Sequence, residues 1–271
     1  MTSAASAASS PVSDLTRDLF GVPIAAVTLP VALALVDQAI AVRRRLQIGV
    51  VNAAKLVHMQ QDAELRGDVL SSDVVFADGM SVVWASRLLG QPLPERVAGI
   101  DLMMGMLARA SAAGYRVYCL GATPQVLDAV VRRIRGEYPG AIVAGYHHGY
   151  FDAGDEERIA RDIATARPDI LLIAMTSPKK ERFLSKWSRH LDVPVCHGVG
   201  GSFDVFSGAV QRAPARWQRL GLEWLYRVKQ EPRRLWKRYF TTNSAFIAMV
   251  AGALLRQQLA RLRPTPRAAG T

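Results

Sequence analysis

Several polar residues stand directly after apolar, β-rich runs of the sequence. They are Asn52, Asp78, Gly121 with Thr123, Ser177 with Lys180, and the stretch 198–204. In a parallel α/β sheet, ligands bind outside the carboxyl ends of the strands. A carboxylate there can take a proton from a substrate hydroxyl, and glycines let the backbone approach a phosphate closely. The pattern predicts a site that combines a general base with a pocket for an anion.

Asp78 is the candidate for the base. It follows the run VVFA and precedes Gly79. An Asp–Gly turn that only closes a strand is a common structure and explains the pair equally well on local grounds. The position of Asp78 at the carboxyl end of a strand is what favours a role in proton transfer.

A Pro/Gly loop, GQPLPERVAG, carries Arg96. Loops of this length can fold over a cleft, and a guanidinium in such a loop can hold a phosphate through two hydrogen bonds. An exposed arginine is the alternative. Asp101, five residues later, is read as the N-cap of the following helix.

The run GVGGSFD places three glycines, Gly198, Gly200 and Gly201, before Asp204. Backbone N–H groups of such a turn can surround a phosphate. Asp204 could bind a base or a sugar, or could equally start a helix. The run matches neither the dinucleotide-binding glycine pattern nor the P-loop pattern, which argues against NAD binding and Walker-type ATP hydrolysis.

No metal-ligand pattern occurs in the sequence. The five histidines do not share a ligand spacing, no carboxylate pair is suitably placed, and there is no Asp-x-Asp motif. We therefore expect no metal and no cofactor, so that arginines and lysines neutralise the bound anion. Cys119 and Cys196 lie inside apolar runs and are expected to be buried free thiols.

Apolar β-rich runs alternate with amphipathic helical patterns along most of the chain. This alternation predicts an α/β, Rossmann-like fold with a mostly parallel sheet and helices on both faces. We divide the chain into a disordered Ala/Ser-rich tail (1–19), an α/β catalytic body (20–207) and a basic helical C-terminal appendage (208–271). The N-terminus lacks the basic and apolar regions of a signal peptide, so a cytoplasmic location is expected.

The net charge of +11 comes entirely from the appendage, which has thirteen Lys/Arg and two acidic residues. Its arginines alternate with tryptophans and tyrosines, a composition that suits anionic lipid head groups and also nucleic acid. The apolar run 245–255 is shorter than the ~20 residues that span a bilayer. We expect it to lie in the membrane interface; a helix packed on the body is the alternative.

The chain resembles the WecG/TagA/CpsF family of bacterial glycosyltransferases over about residues 20–240, and seven blocks, in order, carry the resemblance. The two longest blocks are the most specific. The blocks are NAAK (52–55), ADGMSVV (77–83), RVAGIDL (96–102), HGYF (148–151), AMTSPKKE (174–181), GVGGSFDVFSGAVQRAP (198–214) and LGLEWLYRVKQEPRR (220–234).

The resemblance implies an inverting, metal-independent enzyme of bacterial exopolysaccharide or cell-surface polysaccharide synthesis. It would move a sugar from a UDP-sugar to a polyprenyl-diphosphate-linked saccharide at the inner membrane face, without nucleic acid as a partner. By position, Asp78 would be the base. The implied substrate-binding residues are Asn52, Arg96, Gly121, Lys180, Gly198, Gly200, Gly201, Asp204 and, in the appendage, Arg227 and Arg234.

Three positions depart from the family pattern. Val50 stands where a threonine is usual, Thr176 replaces glycine, and Lys180 replaces glutamine. Loss of a hydroxyl and gain of a cation change the pocket. The resemblance therefore implies a donor or acceptor other than that of the N-acetylmannosamine-type members, with UDP-glucose as one candidate donor.

A non-catalytic module that binds membrane or nucleic acid through the basic appendage is the rival interpretation. It predicts binding that depends steeply on salt and survives mutation of Asp78. If the protein is a transferase, mutation of Asp78 should instead abolish its activity.

Overall fold

A six-stranded parallel sheet forms the centre of the protein. The computed structural model describes residues 15–262, apart from the side chains of Arg234 and Leu262. The strands are β1 (Thr16–Leu19), β2 (Val22–Ala25), β3 (Leu46–Val51), β4 (Val74–Ala77), β5 (Arg116–Gly121), β6 (Ile142–His147), β7 (Ile170–Ala174) and β8 (Val195–Gly198). The central sheet has the order β4-β3-β8-β7-β5-β6, and each adjacent pair is parallel. The expected parallel sheet is confirmed.

Helices cover both faces of this sheet. They are α1 (Leu29–Ala41), α2 (Ala53–Met59), α3 (Ala63–Leu70), α4 (Met80–Leu88), α5 (Gly99–Ala113), α6 (Pro124–Glu137), α7 (Glu156–Ala166), α8 (Lys179–Trp187), α9 (Ser202–Phe206), α10 (Ala215–Arg219), α11 (Glu223–Gln230) and α12 (Pro232–Leu262). Helices α1, α5, α6 and α9 share one apolar cluster with the sheet. Helices α2, α3, α4 and α12 cover one part of the other face, and α7 and α8 cover the rest. This is the expected Rossmann-like α/β fold.

The central strands are apolar on both faces because both faces are covered. Along β5, Val117 and Cys119 pack on the side of α1 and α5, while Tyr118 and Leu120 pack on the side of α7 and α8. Strands buried in this way read as continuous apolar runs. Since all six strands are parallel, their carboxyl ends lie along one edge, and the polar residues after each strand meet there.

The folded body begins earlier than the sequence predicted. The predicted tail covers residues 1–19, but Thr16–Leu19 pair with Val22–Ala25 in an antiparallel hairpin. Gly21 closes the turn with φ +73°, a conformation that glycine adopts without a steric penalty. Leu19 is buried in the apolar cluster that also contains residues of α12, and this burial stabilises the strand. Residues 1–14, the rest of the predicted tail, lie outside the described residues.

The apolar run 245–255 is part of α12 and not a separate interfacial segment. Phe246 and Val250, four residues apart on one helix face, are buried among side chains of α2, α4 and the hairpin. Phe246 contacts Phe20 edge-to-face, with 6.1 Å between ring centroids. The packing on the body that was kept as an alternative is therefore correct for this face. Ile247 and Leu255 remain exposed.

Helix α12 is long, but its apolar residues do not form a spanning segment. Within residues 15–262, no helix combines the length and the hydropathy needed to cross a bilayer.

A pair of adjacent variants tests this packing. Phe246→Ala should lower the free energy of unfolding by about 3 kcal/mol, because it removes a buried ring and leaves a cavity. Phe246 is 5% exposed and Ile247 is 68% exposed, so Ile247→Ala should change stability by less than about 0.5 kcal/mol. Urea denaturation of both variants measures the difference. Equal, small effects would show that α12 does not pack on the body.

Candidate active site

Asp78 lies at the carboxyl end of β4 and is fixed there by two backbone groups. Its own N–H donates to the carbonyl of Val51 (2.8 Å), which continues the pairing of β3 with β4. The Gly99 N–H donates to the Asp78 Oδ1 (2.7 Å). Burial raises the pKa of the Asp78 carboxyl above its usual value, although the Gly99 N–H and the charge of Lys55 act in the opposite direction. A carboxylate with a raised pKa is a stronger base.

Asn52 lies beside Asp78 at the end of the neighbouring strand. Its side-chain oxygen accepts a hydrogen bond from the Lys55 N–H (3.0 Å) and caps α2. A Cβ added to Gly79 would lie 3.6 Å from the Asn52 Cβ, so the two turns are in close contact. The structure thus brings Asn52 and Asp78 together, as expected from their positions after parallel strands.

His197 is a member of the site that the sequence interpretation missed. It is fully buried in β8, and its Nε2 lies 3.2 Å from the Gly99 carbonyl oxygen. Burial lowers the pKa of the imidazole to about 4, so the ring is neutral at pH 7. Because a carbonyl only accepts, the Nε2 carries the proton and donates it to Gly99. The carbonyl of Gly99 is thus hydrogen-bonded to His197, and its N–H is hydrogen-bonded to Asp78.

Two lysines share one carboxylate oxygen beneath the same edge. The Nζ of Lys55 lies 2.8 Å and that of Lys180 lies 3.0 Å from the Oε1 of Glu181. Burial and the nearby charge of Lys55 lower the pKa of Lys180 to about 8. Burial raises the pKa of Glu181, but the two ammonium groups outweigh it and bring the value down to about 2. Glu181 is therefore ionised at neutral pH, and its negative charge partly balances the two lysines. The sequence pattern predicts Lys180 as a site residue but indicates neither Lys55 nor Glu181.

The turn that contains Gly198, Gly200 and Gly201, called the glycine turn below, lies directly over Lys180. A Cβ on Gly198 would come within 3.1 Å of the Cδ and Cε of Lys180, so this side chain occupies the space under the turn. Gly200 has φ +52°, and its Cβ would lie 3.9 Å from the Lys180 Nζ. The ammonium group is thus at the surface of the turn that the sequence predicted to hold an anion.

Arg227 of α11 reaches the other side of this turn. A Cβ on Gly201 would lie 3.7 Å from a terminal nitrogen of Arg227 and 3.6 Å from the Oδ2 of Asp204. Arg227 is exposed. The appendage therefore brings a second cation to the glycine turn, as the resemblance implied. The other implied arginine of the appendage, Arg234, has its side chain outside the described residues.

Gly121 ends β5 at the same edge but is closely covered by protein. It has φ +120°, and a Cβ there would lie 2.4 Å from the Ala174 carbonyl oxygen. Gly149 approaches it from the opposite side, with a Cβ position 3.1 Å from the Gly121 Cα. The close contact of three backbone segments explains why only glycine fits at position 121. Its role in substrate binding stays a prediction.

Arg96 is paired with a residue of the appendage. Both terminal nitrogens of its guanidinium approach the carboxylate of Glu223 in α11, the second at 3.4 Å from Oε1. Arg212 extends this network: it bonds to Asp101 (2.6 Å) and lies 3.9 Å from Glu223. Asp101 is therefore not the predicted N-cap, since α5 already begins at Gly99 and Ala98 holds the cap position. The network ties the appendage to the body.

Cys119 and Cys196 are buried free thiols, as expected, and burial raises the pKa of each to about 12. In the described part of the chain, no three His, Cys, Asp or Glu side chains come together as metal ligands would.

The carboxyl edge of the sheet thus brings together the Asp78 carboxylate, two lysines, an arginine and a glycine turn, an arrangement that suits proton transfer beside a bound anion. Comparison with known sequences gives the class. Residues 17–260 match the glycosyl transferase WecG/TagA/CpsF family, and the chain belongs to this family. It is a glycosyltransferase, which removes the rival interpretation of a non-catalytic module.

Two curated relatives carry the same description, N-acetylglucosaminyldiphosphoundecaprenol N-acetyl-β-D-mannosaminyltransferase. The relative from Bacillus spizizenii is 37% identical over 194 residues, which cover 72% of this chain and 72% of the relative. The relative from Bacillus subtilis is 42% identical over 172 residues, which cover 63% of this chain and 66% of the relative.

The buried imidazole gives a testable pH dependence. The pKa of His197 is about 4 in the folded protein and about 6.5 unfolded, so the unfolded state binds more protons between these values. Stability should therefore fall as the pH drops from 7 to 5, by about 2 kcal/mol from this group. His197→Gln, whose amide can still donate to Gly99, should lose that part of the decrease in urea titrations.

His190 is exposed and provides the matched control. His190→Gln should keep the wild-type pH dependence of unfolding. If His197→Gln keeps it as well, the imidazole is not buried and neutral.

Proposed function

We propose that this protein is an inverting glycosyltransferase that moves a sugar from a UDP-sugar to a polyprenyl-diphosphate-linked saccharide, with Asp78 as the general base. The observation that supports this most strongly is the position of Asp78 on the same sheet edge as the cation-flanked glycine turn. The names of the two relatives describe transfer to a diphosphoundecaprenol-linked sugar, which agrees with such an acceptor.

Inversion requires a single displacement. Asp78 takes the proton from the acceptor hydroxyl as its oxygen bonds to the anomeric carbon of the donor sugar. The bond between that carbon and the phosphate oxygen breaks on the opposite face, and UDP leaves with the electron pair. One base and stabilisation of the leaving diphosphate are sufficient, and no covalent nucleophile is needed. Asn52, adjacent to Asp78, lines the pocket of the reacting groups.

The negative charge on UDP is met by side chains. Lys180 lies on one side of the glycine turn and Arg227 on the other, so Gly198, Gly200 and Gly201 lie between two cations. Charge-assisted hydrogen bonds from such groups stabilise a diphosphate without a bound ion. We therefore propose metal-independent catalysis. Asp204, beside Gly201, is assigned to the nucleoside.

The arginines of the loop and the appendage are assigned to phosphates as well. Arg96 would contact the donor or acceptor diphosphate in exchange for part of its pairing with Glu223. Arg234 is assigned with Arg227 to closure over UDP. The exchange is possible because a phosphate and a carboxylate present similar oxygen pairs to a guanidinium.

The donor is proposed to differ from that of the two relatives. Val50 packs into the core cluster and offers no hydroxyl, and Lys180 adds a buried cation near the turn. UDP-glucose is the candidate, in exopolysaccharide or cell-surface polysaccharide synthesis. A panel of UDP-sugars assayed for UDP release would identify it.

We further propose that the protein works on the cytoplasmic side of the membrane as a peripheral protein. Exposed aromatic residues, among them Trp236 and Phe240, lie on α12 together with Lys237 and Arg238. Aromatic and basic residues together favour the head-group layer of an anionic bilayer.

The central experiment removes the base. Asp78→Asn should lower the rate of UDP release in the presence of acceptor by about 100- to 10,000-fold, because the amide cannot take a proton. The assay contains EDTA, and the wild type should turn over in it. Asp128, an exposed aspartate of α6, gives the control Asp128→Asn with unchanged turnover. Full activity of Asp78→Asn would exclude Asp78 as the base, and loss of wild-type turnover in EDTA would exclude metal independence.

Lys180 predicts a limit at alkaline pH. Its pKa is about 8, so it is cationic below that pH and loses its charge above it. If the charge binds the donor diphosphate, kcat/KM for the UDP-sugar should fall above about pH 8. Lys180→Arg keeps a cation at higher pH and should move this decrease upward. The same decrease in both proteins would mean that another group causes it.

A further inference from the structure

Helices α11 and α12 enclose an apolar groove of about 310 Å³. Its apolar lining consists of Trp224, Val228, Trp236, Tyr239, Phe240 and Ile247. The rings of Trp224 and Tyr239 are in contact across the groove, with 5.8 Å between centroids. Trp236 is 57% exposed and Phe240 is 68% exposed, so the groove opens to the outside. Large apolar side chains left accessible in a concave surface indicate a binding site.

The groove shares a helix with the active site. On α11, Glu223 bonds to Arg96 and Arg227 approaches Gly201, whereas the next residues, Trp224 and Val228, line the groove. Glu223 and Arg227 are four residues apart and therefore lie on one face of α11. Trp224 and Val228 are also four residues apart and lie on the adjacent face. A helix with its side chains is about 10–12 Å across. The groove therefore lies about one helix diameter from the glycine turn, where the donor diphosphate is proposed to bind, and the sugar and diphosphate of the acceptor would span that separation.

We propose that this groove binds the isoprene units of the acceptor that lie next to its diphosphate. The inference rests on the proposed function, which supplies a polyprenyl diphosphate as the acceptor lipid. The charge distribution agrees with it: besides Arg227, which is assigned to the donor, Lys229, Arg233 and Arg238 are exposed on the two helices that form the groove. A diphosphate with an attached apolar chain is complementary to a groove that is apolar inside and basic outside.

The size of the groove limits how much of the lipid it holds. A cavity of ~150 Å³ accommodates benzene, which has six carbons, so about 310 Å³ accommodates roughly twelve. This corresponds to about two isoprene units. The rest of the lipid would remain in the bilayer. A concave groove between two helices suits a single chain better than it suits the surface of a bilayer.

The test uses the full chain and soluble acceptors with one, two or four isoprene units on the sugar diphosphate. The acceptor KM should fall from one unit to about two and change little beyond, since the groove is then filled. Phe240→Ala should raise the KM of the two-unit acceptor about 5- to 30-fold through loss of apolar contact. Leu259 is 62% exposed on α12 and does not line the groove, so Leu259→Ala is the matched control.

A direct binding measurement separates this inference from the proposed function. Geranyl diphosphate should change the tryptophan fluorescence of the wild type and of Leu259→Ala saturably. It should bind Phe240→Ala more weakly. Saturable binding without turnover of any UDP-sugar would overturn the proposed function and support the groove. Turnover with a KM that is independent of chain length and unchanged by Phe240→Ala would overturn the groove and leave the function intact.

Two other occupants of the groove, a bilayer surface and a second copy of this chain, would give different results. If Phe240→Ala reduces binding to anionic vesicles but leaves the short-chain KM unchanged, the groove is a membrane contact and the inference is wrong. If the wild type sediments as a dimer and Phe240→Ala as a monomer, a second copy covers the groove, and the inference is also wrong.

Discussion

Glu181 places a single negative charge between two lysine ammonium groups beneath the edge of the sheet. The three side chains are about nine-tenths buried, and a buried charge without a partner costs several kcal/mol. The carboxylate therefore fixes the positions of both cations. Lys55 belongs to α2, which begins at Asn52, and Lys180 runs under the glycine turn. One ion cluster thus joins the two halves of the site, and its charges also act on Asp78 and His197.

The second organising feature is the connection of the appendage to the body. Glu223 holds Arg96, and Arg212 holds Asp101, so the start of α11 is fixed beside the loop that leads to Gly99. At its far end, α12 is packed against the hairpin and α2 through Phe246 and Val250. With both ends attached, the appendage is held against the body, and its helix α11 lies beside the candidate site. One of its basic residues, Arg227, is thereby placed beside the glycine turn.

Much of the fold could be predicted because the relevant signals are local. The apolar runs fixed the strands of the sheet, and amphipathic periodicity fixed most helices. The positions of Asn52, Asp78, Lys180 and the glycines after strands were sufficient to predict a common edge. The hairpin was missed because its strands are only four residues long and lie next to an Ala/Ser-rich tail. The packing of α12 on the body was only the alternative to an interfacial position, because an apolar run of that length suits an interface as well as a core.

The amino-acid sequence by itself determined the parallel α/β architecture, the family, the candidate base and the location of the positive charge. The architecture follows from periodicity, the location of the charge from composition, the candidate base from its position after a strand, and the family from the resemblance of seven sequence blocks. The tertiary structure decided which charges meet. Lys55 and Glu181 are 126 residues apart, Arg96 and Glu223 are 127 apart, and His197 and Gly99 are 98 apart. Such partners carry no local signal, because only the burial of both groups at one place makes their pairing necessary.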